Sequence, residues 1–398
     1  MSNIHDPTRQ VNYLQQCLSQ DKRNIGFFIG AGCPVSIQVP AGTTTEPLIP
    51  DVEGLTDFVA TQLRTTHQKT AFEKVENHLK TDGCTCINIE TQLSFIRGLK
   101  AIAGASKVRD LSVDDLTSLE DKMCRLIGER VDRPLPETEN PYTQLAAWIA
   151  STNRSAPVEV FTTNYDLLSE QALERFRTPY FDGFSGSKEA FLDSHSIDHD
   201  ELPPRWARLW KLHGSINWTI NEGKQVCRVG ATTGKCVIHP SHLKYDESRR
   251  MPYLAMIDRL RAFIRKPSSV LVICGYSFRD EHLNACLVEG LTGSPGSAVF
   301  GLLYGNLVDY PEAVKLAGTA GNLSLLARDG ALLGTREGGW DNRDLGDAAT
   351  LSGAVELTPD LTGGAAKVVL FHLGDFACLG RFLAALIGND MGGSAYGI

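Results

Sequence analysis

Short apolar runs that end in glycine or polar turns, with helical pattern between them, narrow the fold of this chain more than any other feature. Asn24-Ile25-Gly26-Phe27-Phe28-Ile29 runs straight into Gly30-Ala31-Gly32, which reads as a buried strand entering a tight turn. Comparable runs follow at residues 158–161, 209–212, 269–274 and 298–303. Segments of helical spacing, at 165–176, 252–264 and 280–291, separate most of them. Strands that alternate with helices predict a mainly parallel sheet covered on both faces, a doubly wound α/β fold of the Rossmann-like kind.

The interval between the first two strands is much longer than an ordinary crossover. Its segments 52–64, 73–80, 89–99, 113–127 and 142–149 carry helical spacing. Residues from about 50 to 150 therefore read as a mostly helical insertion, placed to roof the sheet's ligand edge. From residue 336 the text turns Gly-rich and polar, then ends in a strand at 366–373 and an amphipathic helix at 375–387. With 398 residues, more than one compact core usually holds, the division expected is a domain over 1–335 that includes the insertion, and a C-terminal module over 336–398 used for assembly.

Composition excludes several function classes. Hydrophobic residues at 42% and charged residues at 22% suit a soluble globular protein. No stretch approaches the roughly 20 apolar residues that span a bilayer, and the polar start lacks a secretory signal, so a cytoplasmic location and no membrane partner are expected. A net charge of -8 argues against direct nucleic-acid binding. The densest basic stretch, Arg259, Arg261, Arg265 and Lys266, reads as a solvated helix face. The ten cysteines contain no C-x-x-C pair; Cys84 and Cys86 are close, Cys227 and Cys236 far downstream. Reduced thiols and no metal are expected.

Four segments carry candidate chemistry. Gly30-Ala31-Gly32-Cys33-Pro34 follows a strand and should open a helix, where backbone N–H groups favour a phosphate; a tight turn without ligand explains it as well. Phe161-Thr162-Thr163-Asn164-Tyr165-Asp166 ends another strand, and capping accounts for one of Asn164 and Asp166 but not obviously both. His213 closes a third strand beside Gly214, at the mouth of the sheet, which favours a catalytic over a structural histidine. The fourth segment runs from Gly275 and Ser277 through Asp280 to Asn284; Asp280 is a ready helix cap and Arg279 a solvated side chain.

In this order, G-A-G, T-T-N-Y-D, L-H-G-S-I-N-W and G-Y-S-F-x-D-x-x-x-N resemble the sirtuin-like domains of bacterial antiviral defence proteins over roughly residues 20 to 290. The resemblance implies NAD as substrate. Ala31 and Cys33 would line its diphosphate and ribose, with Gly30 and Gly32 allowing close approach. Asn164 would hold the nicotinamide ribose or the attacking water, Asp166 would bond within the nicotinamide pocket, and His213 would be the general base. Gly275 and Ser277 would contact the adenosine side, while Asp280 and Asn284 would bind or cap. Cys33 stands where many relatives carry serine and reads as pocket wall, with a nucleophilic thiolate as the alternative. The four-cysteine zinc module of sirtuin deacylases is absent, which favours water as acceptor and makes NAD hydrolysis to nicotinamide and ADP-ribose the leading expectation. The chain end is similar to sirtuin-like proteins that assemble with a HerA-type hexameric ATPase and deplete NAD in anti-phage defence, which implies that ATPase as partner and a homo-oligomer. A protein deacylase, a subunit that senses NAD or ADP-ribose without turnover, and a scaffold are the rival expectations.

Overall fold

The computed structural model describes residues 3–104, 106–151, 154–222, 225–230, 237–238, 252–342, 353–359 and 367–388. Among them, the main sheet has ten strands: β1 (Asn3–His5), β2 (Ile25–Ile29), β3 (Glu159–Thr162), β4 (Tyr180–Phe181), β5 (Ala207–Lys211), β6 (Val270–Cys274), β7 (Ala298–Leu302), β8 (Leu323–Leu326), β9 (Gly330–Leu333) and β10 (Arg336–Trp340). Their spatial order is β1-β10-β9-β8-β7-β6-β2-β3-β5-β4. Every pairing from β8 to β4 is parallel. Only β9 runs antiparallel to both its neighbours, β8 and β10, and β1 is laid parallel to β10. The fold is the expected mainly parallel, Rossmann-type α/β sheet with flanking helices.

The helices are α1 (Pro7–Ser19), α2 (Val52–Leu63), α3 (Lys69–Thr81), α4 (Ile89–Ile102), α5 (Val113–Val131), α6 (Pro141–Ser151), α7 (Leu168–Arg175), α8 (Ser194–His199), α9 (Tyr253–Arg265), α10 (Glu281–Thr292), α11 (Pro311–Ala317) and α12 (Phe376–Leu386). Strands β2, β3, β5 and β6 are buried at every position, as strands covered on both faces must be. Chain order reverses between β2 and β6. From β2 the chain proceeds to β3 on one side; from β6 it proceeds to β7 on the other. Loops leaving those two strand ends diverge, and a doubly wound sheet opens its ligand crevice at such a point.

Helices α2 to α6 fill the long interval. Their starts are set by local chemistry: the Asp51 carboxylate accepts from Gly54 N, and Asn88 with Thr91 and Ser112 with Asp115 form reciprocal capping boxes. Two small elements had no counterpart in the sequence pattern, because their strands are too short for periodicity to register. One is the hairpin Gln38–Ala41 with Thr44–Pro47; the other is a sheet of Trp218–Ile220, Val226–Arg228, Ala190–Leu192 and Phe184–Ser185. Cys236, one of the distant cysteines, lies outside the described residues.

The basic stretch on α9 is not wholly a solvated face. Arg259 is buried, pairs with Asp200 at 3.1 Å and lies over the Trp210 ring. Lys266 pairs with Glu159 at 2.6 Å. The cause is a set of charges inside the sheet layer: Glu159 on β3, and Arg208 on β5, which pairs with Asp200 at 2.7 Å. Buried charges persist only when paired.

Residues 336–340, expected to open a separate module, form β10 and pair with β9 and β1. Strands Val355–Pro359 and Lys367–Phe371 form an antiparallel pair, and α12 packs on α6 within the core cluster that also contains Val11, Leu14 and Trp148. Phe376 meets the Tyr142 ring edge-on at 5.1 Å. Gly380 lies so close to α6 that a Cβ there would stand 2.8 Å from Pro141 Cα. The apolar face of α12 has its partner in the main body.

Candidate active site

The turns after β2 and β6 pack directly on each other at the switch point. Gly30 N donates to Cys274 O at 2.9 Å, and Gly32 N donates to Gly275 O at 2.9 Å. A Cβ on Gly30 would stand 2.2 Å from Gly275 O, and one on Gly275, whose φ is +68°, would stand 2.6 Å from Cys33 N. Both glycines are therefore required by turn-on-turn packing, whatever lies above them. Ala31 is half-buried and Gly32 exposed, so the outer side of the turn faces the crevice. Pro34–Ser36 is a single 3-10 turn, not the longer helix expected there.

Cys33 is fully buried, and its Sγ donates to Cys274 O at 3.2 Å. Burial, with Cys274 adding to it, pushes its thiol well above the usual range, which removes the thiolate a nucleophile needs. The pocket-wall reading fits this environment. In the native protein a thiol alkylating reagent at pH 8 should label exposed Cys86 first and leave Cys33 unmodified until denaturant is added. Peptide mapping that finds Cys33 labelled in the folded chain would refute this.

Asn164 and His213 follow the ends of adjacent strands. Thr162 of β3 is paired with Lys211 of β5, so each of the two residues stands two positions past that pair, on strands about 4.8 Å apart. Thr162 Oγ1 donates to Ile29 O at 2.8 Å and accepts Asn164 N at 3.0 Å, which bends the chain toward the first turn. Asn164 Nδ2 donates to Gly30 O at 3.1 Å, while its buried Oδ1 has no partner. An acceptor left so costs about 1–3 kcal/mol and calls for a ligand or water. The Tyr142 hydroxyl is also buried, beside the Asn164 side chain; burial and then the nearby Asp166 charge push it far above its ordinary value.

Asp166 begins α7, with one carboxylate oxygen accepting Leu168 N at 2.9 Å. Burial raises its pKa, and the Lys211 ammonium pulls it down, with the upward effect prevailing. Lys211, itself buried, donates to the Asp166 backbone carbonyl and pairs with Glu170 at 3.0 Å. This places one fixed positive charge beneath two carboxylates.

His213 is buried between two acids. Its Nε2 lies 3.1 Å from Asp280 Oδ2, and its Nδ1 lies 3.9 Å from Glu90 Oε1 without a hydrogen-bond partner. Asp280 does two things: Oδ1 caps α10 by accepting His282 N at 2.9 Å and Leu283 N at 3.2 Å, while Oδ2 lies 3.1 Å from the imidazole. Burial lowers the His213 pKa, but the Asp280 hydrogen bond and charge, with Glu90, outweigh it and hold the group above 6.5.

The remaining sequence-predicted residues fall outside direct reach of that cluster. Ser277 is exposed beside the Gly275 turn. Asn284 has both amide atoms occupied, Nδ2 by Phe278 O at 2.7 Å and Oδ1 by the Tyr276 hydroxyl at 3.1 Å. It ties down the loop, which explains how buried Phe278 holds a φ of +57°. Sequence reasoning missed Glu90, Tyr142 and Tyr165. They converge only through the fold, and nothing in the sequence separates Glu90 from the other acids of the insertion. An open polar pocket of about 610 Å³ lined by His67, Gln68, Lys122 and Arg125 lies elsewhere, between the α2–α3 corner and α5. Among the described residues, no group of three or more His, Cys, Asp or Glu side chains is placed to hold a metal, and no helix is long and apolar enough to cross a membrane.

Comparison with known proteins finds a match to the SIR2-like domain over residues 158–312. No curated protein matches the chain. Among solved structures, a Sir2 homologue in complex with NAD is 12% identical, with 76% of this chain and 86% of that chain covered and a TM-score of 0.35. A structure described as the structural basis for the mechanism and regulation of Sir2 enzymes is 13% identical, with coverages of 75% and 86% and a TM-score of 0.34. With a SIR2-like match across β5 and β6 and the sheet wound as described, the fold is sirtuin-like.

Proposed function

We propose that this chain is an NAD glycohydrolase, cleaving NAD to nicotinamide and ADP-ribose. The observation that carries the reading is a buried Asn164 Oδ1 without a hydrogen-bond partner and a buried His213 imidazole, each two residues past the last registered pair of adjacent strands β3 and β5. Nicotinamide in NAD is a cationic leaving group. When its bond to the ribose breaks, the electron pair goes to the ring nitrogen and positive charge develops on the sugar, as in glycoside hydrolysis. The carboxylates of Asp166, Asp280 and Glu90 favour that charge. Asn164 orients the attacking water, and His213 takes the proton, relayed through a ribose hydroxyl, as the bond from water to the anomeric carbon forms.

With Asp280 Oδ2 3.1 Å from Nε2, we assign the ring hydrogen to Nε2 and the accepting role to Nδ1. The raised His213 pKa then sets the sign of the pH dependence. Any stability gained from the charged imidazole is complete below about 6.5 and is lost as pH rises through the folded value. Base catalysis runs the other way, and nicotinamide release should climb as pH rises from 6.5 through that value. Asp280→Asn should move this rise to lower pH. A pH–rate profile for the variant that overlays the wild type would remove Asp280 from the role.

The reading extends to an NAD-depleting effector in anti-phage defence, acting in the cytoplasm as a homo-oligomer with a HerA-type ATPase; the motif order and the chain end support it. A deacylase keeps the same site and changes the acceptor, and a sensor binds without turnover. Pure protein incubated with NAD, with and without acylated-lysine peptide, and with ATPase and DNA, separates them by product. Nicotinamide and ADP-ribose without peptide is the expected result. Peptide-dependent release, or binding with no product under any condition, would overturn the hydrolase reading.

A further inference from the structure

We propose that Glu90, supplied by the helical insertion, is a substrate-contacting residue whose carboxylate and the free His213 nitrogen together receive the vicinal hydroxyls of a ribose. The inference rests on the NAD reading of the site and adds a residue to it.

Glu90 is held with unusual care for a side chain in the first turn of a helix. The Asn88–Thr91 capping box fixes that turn, with Asn88 Oδ1 accepting Glu90 N at 2.9 Å. Thr56 Oγ1 of α2 accepts the neighbouring Ile89 N at 3.1 Å. The Tyr165 hydroxyl, one residue past Asn164, donates to Glu90 Oε1 at 3.2 Å. The carboxylate is thus aimed at His213 from the roof while the strand ends approach from the floor.

What it meets there is an incomplete arrangement. With its hydrogen directed to Asp280, His213 presents Nδ1 as an acceptor, buried and without a partner, 3.9 Å from the Glu90 oxygen. Two acceptors facing each other at that distance are too far apart to bond directly and need donors between them. A vicinal diol supplies two O–H donors side by side, one for each acceptor. Carboxylates serve ribose hydroxyls in the same way in other dinucleotide sites. Placed so, Glu90 also adds negative charge next to the carbon that becomes cationic.

The test compares wild type with Glu90→Gln, which keeps the Tyr165 hydrogen bond and the packing. Each is given NAD and NAD lacking the 2′- or the 3′-hydroxyl on the nicotinamide ribose. Calorimetric Kd and nicotinamide release are both read. Charge-assisted hydrogen bonds predict ~10–100-fold weaker NAD binding in the variant. Removing the hydroxyl that Glu90 holds should cost the wild type a similar factor and the variant less than about threefold. Unchanged binding in E90Q, or weakened binding that retains the full penalty for both missing hydroxyls, would overturn the contact and leave Glu90 as an anchor for Tyr165. Binding without nicotinamide release would sink the hydrolase reading alone, since the Kd comparison still decides Glu90. A wild type that neither binds nor cleaves NAD would end both.

Discussion

Replacing Asn164 or His213 with alanine is expected to lower nicotinamide release from NAD by ~10²–10⁴-fold, the range for removing a positioned acid–base group. The fold should survive both changes. Asn164→Ala gives up one hydrogen bond, to Gly30 O, and at the same time removes a buried acceptor that has no partner. The balance is about 1 kcal/mol. His213→Ala leaves Asp280 Oδ2 buried without the imidazole, at a cost of about 1–3 kcal/mol. In a chain of this size either loss moves Tm by only a few degrees. Product chromatography and a thermal melt on the same samples check the two halves together. Full turnover in both variants would dismiss the assignment of roles. Lost turnover with a collapsed melt would mean that the residues serve the fold.

A chain ended at residue 366 is expected not to fold. It would lack Lys367–Phe371 and α12, and with them the buried side chains Phe371, Phe376, Leu379, Phe382 and Leu383. At about 1.5–3 kcal/mol for each fully buried large apolar side chain, the loss reaches or exceeds the ~5–15 kcal/mol by which a domain is normally stable. The cut would also bare Tyr142 and the α6 surface on which Gly380 rests, next to Asn164. Insoluble product, or a soluble one with no cooperative melt, is the expected outcome. A truncated chain that melts as the full one does would show instead that the C-terminal residues are a separable module.

The sheet and its site were unequally legible in the sequence. Strands β2, β6 and β7 are compact apolar runs, β3 and β5 are apolar runs interrupted by Glu159, Arg208 and Lys211, and the candidate residues at the floor sit just past such strands. Asn164 and His213 could therefore be placed on the same edge before any coordinates. Strand order was beyond reach, because parallel pairing joins segments far apart in sequence through contacts that leave no local pattern. Glu90 was invisible for the same reason: it meets Tyr165 across 75 residues, and its helix reads like its neighbours. In the Gly-rich text from residue 336, Gly338 is a strand residue whose Cβ would collide with Asn3 O on β1. There glycine permits close strand approach, not looseness. The charged side chains of α9 misled by spacing, since their partners are carboxylates brought in from β3 and the end of α8.

The backbone-on-backbone contact between the Gly30 and Gly275 turns has a consequence for how such a protein can be re-engineered. With main chain touching main chain, no side chain there can be traded to widen or reshape the cleft without parting the two central strands. Freedom to alter what the cavity admits lies overhead, in the insertion helices, from which Glu90 reaches the chemistry. Exchanging that layer between chains, while leaving the strand ends untouched, is the route by which a new specificity would be grafted.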